Sequence, residues 1–228
     1  MAIKENIQKI KEIVENSAKK SGRNPEEIII LGASKTQPVE KIIEAYNAGL
    51  RYFGENRVQE GIKKIEAIGY LPDIHWHLIG GLQTNKVKYA IKYFEMIQSL
   101  DRKVLADEIE KRAGKIGRKQ DVLIEVNVGE EPTKYGVLPQ NLENLVEYVL
   151  KKENIILKGL MCIPPYFEDK EKSRPYFAFL RELKEKIEEK FNIELMHLSM
   201  GMSHDFDVAI EEGATIVRIG TKIFGERK

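Results

Sequence analysis

Apolar residues recur along this chain with two alternating periods. Ile3, Ile7, Ile10, Val14 and Ala18 keep the spacing of one helix face. Ser21-Gly22-Arg23-Asn24-Pro25 stops that pattern. The run Ile28-Ile29-Ile30-Leu31-Gly32-Ala33 then reads as a strand buried on both faces. A helix is predicted from Pro38, with proline in its first turn, to a stop at Asn47-Ala48-Gly49. Further strands are predicted over Arg51 to Gly54, Ile74 to Ile79, Phe94 to Gln98, Val122 to Val128, Ile156 to Met161, Leu195 to Ser199 and Thr215 to Ile219. Helical spacing lies between them, at Arg57 to Ala67, Leu82 to Ile91, Arg102 to Ile116, Pro139 to Leu150, Lys172 to Lys190 and Asp205 to Glu211.

Eight strands alternating with helices imply right-handed parallel crossovers. The α/β pattern predicts a (β/α)8 TIM barrel with an extra N-terminal helix. An open doubly wound sheet is the alternative. No linker or low-complexity tract divides the 228 residues, so one domain spanning 1–228 is expected. Lys plus Arg number 37 against 36 Asp plus Glu, a net charge of +1. That balance gives no general pull toward nucleic acid or an anionic membrane. Cys162 is the one cysteine, which excludes an intramolecular disulfide. Met1-Ala2-Ile3-Lys4-Glu5 has no apolar signal core, and no run approaches membrane-spanning length. A cytoplasmic monomer is expected.

Barrel sites lie at the carboxyl ends of the strands. Lys35 follows the first strand in Ala33-Ser34-Lys35-Thr36. Partial desolvation there would favour the free amine that attacks an aldehyde. A solvated lysine just past a strand is the plainer reading. Ser199-Met200-Gly201-Met202-Ser203 and Gly220-Thr221 follow the seventh and eighth strands, where barrels often bind phosphate. Small residues let backbone N–H groups approach an anion, although the same residues also make turns. Arg218 ends an apolar strand and needs a definite partner, either an ion pair or a ligand. Asn56 either faces the site or caps a helix. His75 and His77 share one face of a strand, and no cluster completes a metal site around them. Neither a serine-nucleophile elbow nor a P-loop is present.

Taken together, these segments resemble the family of pyridoxal phosphate homeostasis proteins. The resemblance is carried by Ala33-Ser34-Lys35-Thr36, Phe53-Gly54-Glu55-Asn56-Arg57-Val58-Gln59-Glu60 and His77-Leu78-Ile79-Gly80-Gly81-Leu82-Gln83-Thr84-Asn85-Lys86. It continues through Gly159-Leu160-Met161-Cys162-Ile163-Pro164-Pro165 and Leu198-Ser199-Met200-Gly201-Met202-Ser203-His204-Asp205-Phe206, and closes with Gly213 to Arg227. It implies the barrel of the alanine racemase N-terminal domain. It implies pyridoxal 5′-phosphate held as an internal aldimine on Lys35. Ser199, Gly220 and Thr221 would hold the phosphate, with Gly201 and Ser203 nearby. Arg218 would meet the pyridine nitrogen, and Asn56 and His77 would lie beside the ring. Cys162 stands where the family often has threonine, and His204 where an acidic residue is common. The expected role is binding, storing or delivering the cofactor, with PLP-dependent apo-enzymes as recipients. Two motives support a non-catalytic reading: the chain stops soon after the eighth strand, and an arginine faces the pyridine nitrogen. A weak PLP-dependent amino-acid racemase or other PLP enzyme acting through Lys35, and a phosphate-binding barrel aldolase, are the alternatives.

Overall fold

The structure, a computed structural model, describes residues 2–226. Arg227, which closes the last family-like segment, lies outside them. Eight parallel strands close on themselves: β1 (Ile29–Ala33), β2 (Tyr52–Glu55), β3 (His75–Leu78), β4 (Met96–Leu100), β5 (Gln120–Val126), β6 (Ile155–Cys162), β7 (His197–Met202) and β8 (Ile216–Ile219). The closing pair is β1 with β8, with Leu31 beside Arg218 and Gly32 beside Ile219. That pairing removes both sheet edges and rules out the open sheet.

The helices are α1 (Ile3–Lys20), α2 (Val39–Asn47), α3 (Val58–Ile68), α4 (Val87–Tyr93), α5 (Lys103–Lys115), α6 (Leu142–Leu150), α7 (Arg174–Phe191), α8 (Phe206–Glu211) and the short α9 (Thr221–Phe224). Two apolar layers result. Inside the barrel, Leu31, Ile79, Met96, Leu123, Met161 and Ile216 pack together. Outside it, residues such as Phe53, Trp76, Leu78, Phe94 and Phe177 pack in the larger cluster that includes the helices. This is the alternation of side chains along a strand applied to a closed sheet.

β8 is followed by a helix of one turn, which is too short to cover the seam with β1. α1 contributes there. Its buried face of Ile3, Ile7, Ile10, Val14 and Ala18 packs among α2, α8 and α9. Asn6 Nδ2 donates to Ile223 O at 3.0 Å, and Lys41 Nζ donates to Phe224 O at 2.8 Å. The extra N-terminal helix is therefore part of the barrel wall.

Candidate functional site

The strand tips open on a cavity of about 280 Å³. That is near the lower end for small-molecule pockets. β1 and its turn supply Ala33, Lys35 and Gln37, and the turn after β2 supplies Asn56. Ile79, Ile163, Tyr166 and Met202 form apolar walls. Ser203, His204, Arg218, Gly220, Thr221 and Gly225 complete the lining. A larger groove of about 610 Å³ runs along the flank between α1, α2 and α9. It shares Thr221 and Gly225 with the mouth but no strand residue lines it, so the mouth, where strand-borne side chains converge, is the candidate site.

The loop after β7 folds back on the end of β8. Asp205 Oδ1 accepts from Met202 N at 2.8 Å, which tightens the turn. Ser203 Oγ accepts from Gly220 N at 3.2 Å and from Lys222 N at 3.4 Å. With its oxygen accepting, the Ser203 hydroxyl keeps its proton to donate outward. Gly201 has φ +88°, and a Cβ there would sit 2.5 Å from Ala209 Cβ and 2.9 Å from Phe206 Cα. On the opposite side of the mouth, a Cβ on Gly80 would overlap the Asn56 carbonyl. The bare glycine lets those two turns touch.

Beneath the mouth a line of hydrogen bonds crosses the barrel. Arg218 Nη2 donates to Cys162 O at 2.7 Å, and Nη1 donates to Ser199 Oγ at 2.7 Å. Ser199 Oγ donates to Gln98 Oε1 at 2.6 Å, and Gln98 Nε2 lies 2.9 Å from His77 Nδ1. A guanidinium only donates, so the direction of every later bond is set. His77 Nδ1 must accept, which puts its proton on Nε2. Burial first, then His197 and His75, pushes the His77 pKa down to about 3, so the ring is neutral. Burial also lowers the Arg218 pKa, yet a guanidinium stays charged. Glu125, nearly buried on β5, is pushed up to about 7 by burial and by Asp101, against the pull of Arg218. Burial pushes the Cys162 thiol up to about 12, which leaves it inert as a nucleophile.

Of the nine site residues expected from sequence, six meet at the mouth: Lys35, Asn56, Ser203, Arg218, Gly220 and Thr221. Three, Ser199, Gly201 and His77, are not among the residues that line it. Ser199 is fully buried, and its hydroxyl is committed to Gln98 and Arg218. It braces Arg218 and does not line the mouth. Gly201 packs on α8 as backbone. His77 lies one layer down, with its ring edge-on to Tyr52 at 5.7 Å between centroids. Asn56 does not cap α3, whose N-cap position is Arg57. Sequence reasoning missed Gln98, Ile163 and Tyr166. Pro164-Pro165 after β6 marked the turn that carries the last two. Among the described residues, no group of three or more His, Cys, Asp or Glu is placed to hold a metal ion. Nor is any described helix long and apolar enough to cross a membrane.

The comparisons narrow the class first. Residues 1–228 match the family described as alanine racemase, N-terminal domain. The solved alanine racemase of Clostridium difficile 630 superposes with a TM-score of 0.75 at 17% identity. It covers 99% of this chain and 57% of its own, a likeness of fold. Nearer relatives then define the group. The pyridoxal phosphate homeostasis protein of Aquifex aeolicus is 58% identical over 224 residues, 98% of each chain. That of Escherichia coli K12 is 36% identical over 99% of this chain and 97% of its own. PipY of Synechococcus elongatus PCC7942, solved with PLP bound, has a TM-score of 0.83 at 36% identity, covering 93% of this chain and 100% of its own. The chain belongs to the pyridoxal phosphate homeostasis protein family.

Proposed function

We propose that this protein binds pyridoxal 5′-phosphate in the barrel mouth, as one unit of residues 1–228, and takes part in intracellular homeostasis of that cofactor. The observation that carries the reading is the convergence of one amine and two hydroxyls, those of Ser203 and Thr221, across an apolar slot. Lys35 stands on one side, and Ser203, Gly220 and Thr221 on another. Ala33, Ile79, Ile163 and Met202 provide surfaces for a flat ring between them. The residues present therefore fit an aldehyde, a ring and a phosphate. When bound, the cofactor supplies an electrophilic aldehyde carbon and an aromatic electron sink.

The chain's own residues divide the work. Lys35 would hold the group at its aldehyde end through Nζ. Ser203 would hold the phosphate through a hydrogen bond from its hydroxyl, and Thr221 would add a second hydroxyl donor. Arg218 stands at the floor as a permanent donor, so a ring nitrogen against it must accept. Asn56 stands beside the ring. Ser199, Gln98 and His77 act only by holding Arg218 in place.

Thr221→Ala is expected to weaken binding by about 1.5–3 kcal/mol, the value of a hydrogen bond to a charged oxygen. Fluorescence titration of the apo-protein measures this. Ser199→Ala should leave the phosphate donors intact and act through Arg218 instead. An unchanged affinity in the Ser203→Ala/Thr221→Ala double variant would remove the cradle.

Binding and transfer, with little turnover, is the reading that fits an arginine floor and an open mouth. Tyr166 on the rim is 78% exposed. The holo-protein should fall far below about 10 turnovers per second on common amino acids. It should also reactivate PLP-dependent apo-enzymes while free cofactor is trapped. Enzyme-like turnover would favour a weak racemase. Failure of every reactivation would leave storage in place of delivery.

A further inference from the structure

Lys64 has no part in the mouth, yet it is almost buried. Its side chain is 9% exposed, and Glu55 beside it is fully buried. Glu55 faces outward from β2 under α3. Lys64 Nζ donates to Ser34 O at 2.7 Å, to Glu55 Oε1 at 2.9 Å and to Glu60 Oε1 at 2.7 Å. An ammonium has three donors, and these partners use all of them. Ser34 Oγ adds a bond to Glu55 Oε1 at 2.6 Å. Thr36 N donates to Glu60 Oε1 at 2.6 Å. Thr36 itself has φ +63°, the left-handed region that non-glycine residues seldom enter.

The ends of this network fall on the two neighbours of Lys35. Lys64 holds the carbonyl before it, and Glu60 holds the N–H after it. The Lys64–Glu60 contact joins the two holds. All of these groups lie behind the turn, on the α3 side, and neither Lys64, Glu55 nor Glu60 lines the mouth. A buried ion pair by itself says little about stability. Its placement around one lysine says more. Lysine has a long, flexible side chain, and fixing its backbone limits where Nζ can reach.

We infer that Lys64 and Glu60 are positioning residues that lock the Ser34–Thr36 turn and so aim Lys35 at the aldehyde. The inference rests on the Lys35 reading above. It commits these groups to the covalent part of binding and not to the phosphate part.

The test uses the full chain with Glu60→Ala, Glu60→Gln and Lys64→Met. Glu60 is the primary target because it is partly exposed, and its loss leaves the buried Lys64–Glu55 pair intact. Two probes are titrated: pyridoxal 5′-phosphate, and pyridoxamine 5′-phosphate, which has no aldehyde for Lys35. Glu60→Ala should lose about tenfold in affinity for the aldehyde, the effect of one charge-assisted hydrogen bond. Its affinity for the amine should stay at the wild-type value. Borohydride capture on Lys35 should slow in parallel. Glu60→Gln keeps an acceptor for Thr36 N and should restore most of the loss. Lys64→Met, if it folds by circular dichroism, should show the same split between the probes. Equal losses for both probes would reduce the network to a structural brace and overturn the inference, as would no loss for either. A wild-type protein labelled on a lysine other than Lys35 would instead sink the Lys35 assignment, and this inference with it.

Discussion

Lys35→Ala is expected to abolish borohydride-stable attachment of pyridoxal phosphate while leaving the barrel folded. Lys35 stands two residues beyond the end of β1. It is the lysine among the described residues that line the mouth. Removing its amine removes the nucleophile and leaves Ser203, Gly220 and Thr221 untouched. The phosphate should therefore still bind, reversibly and more weakly. The stability change should stay within about 0.5 kcal/mol, as for substitutions outside the core. Absorbance of the reconstituted protein, borohydride reduction and peptide mapping give the answer together. Reduced cofactor recovered on another lysine of the wild-type protein, with none on Lys35, would refute the assignment.

Glu125→Gln should stabilise the apo-protein at pH 8 and leave it nearly unchanged at pH 5. Burial raises the folded-state pKa of this carboxyl from 4.5 to about 7, with Asp101 adding to the shift and Arg218 opposing it. A raised folded pKa contributes stability below the unfolded value of 4.5. That contribution is lost as pH rises through about 7. At pH 8 the wild type carries a buried charge that glutamine does not. The shift of between two and three units corresponds to about 3 kcal/mol as an upper bound. Urea unfolding at the two pH values measures it. An equal gain at both would show that the effect is packing and not charge. His77 runs the other way. Its folded pKa is depressed from 6.5 to about 3, so its contribution is present above 6.5 and lost as pH falls toward 3. Between pH 4.5 and 6.5 the two slopes oppose one another, and Glu125→Gln should expose the acid sensitivity due to His77.

The barrel was legible because a buried parallel strand and an amphipathic helix leave different periods. The displacements have local causes. Phe94 and Leu195 read as strand starts because they are apolar, yet β4 begins at Met96 and β7 at His197. Both residues are buried in the approach to the strand. The short α9 left no readable period in Thr221–Phe224. At the site, types and loops were readable but depth was not. Ser199 and Ser203 lie in one five-residue segment and look interchangeable as hydroxyls. The first points into the barrel floor, and the second stands at the rim. Gln98 follows Met96-Ile97 and carries no sign in the sequence of the partners on either side of it. Lys64 fell within a helix of suitable spacing, where a lysine counts as solvated. Only the approach of α3 to β2 makes it a buried ion.

Hydrogen-bonded chains under an active site are commonly thought of as wires. The line from Arg218 through Ser199 and Gln98 to His77 works as an insulator. Hopping requires each member to give and take a proton in turn, and an arginine cannot take one. The carboxamide of Gln98 is an equally poor relay. The neutral His77 ring, with its proton on Nε2, is therefore not wired to whatever rests in the mouth. Any acid or base chemistry there falls to Lys35, to the rim or to the molecule that comes to meet it.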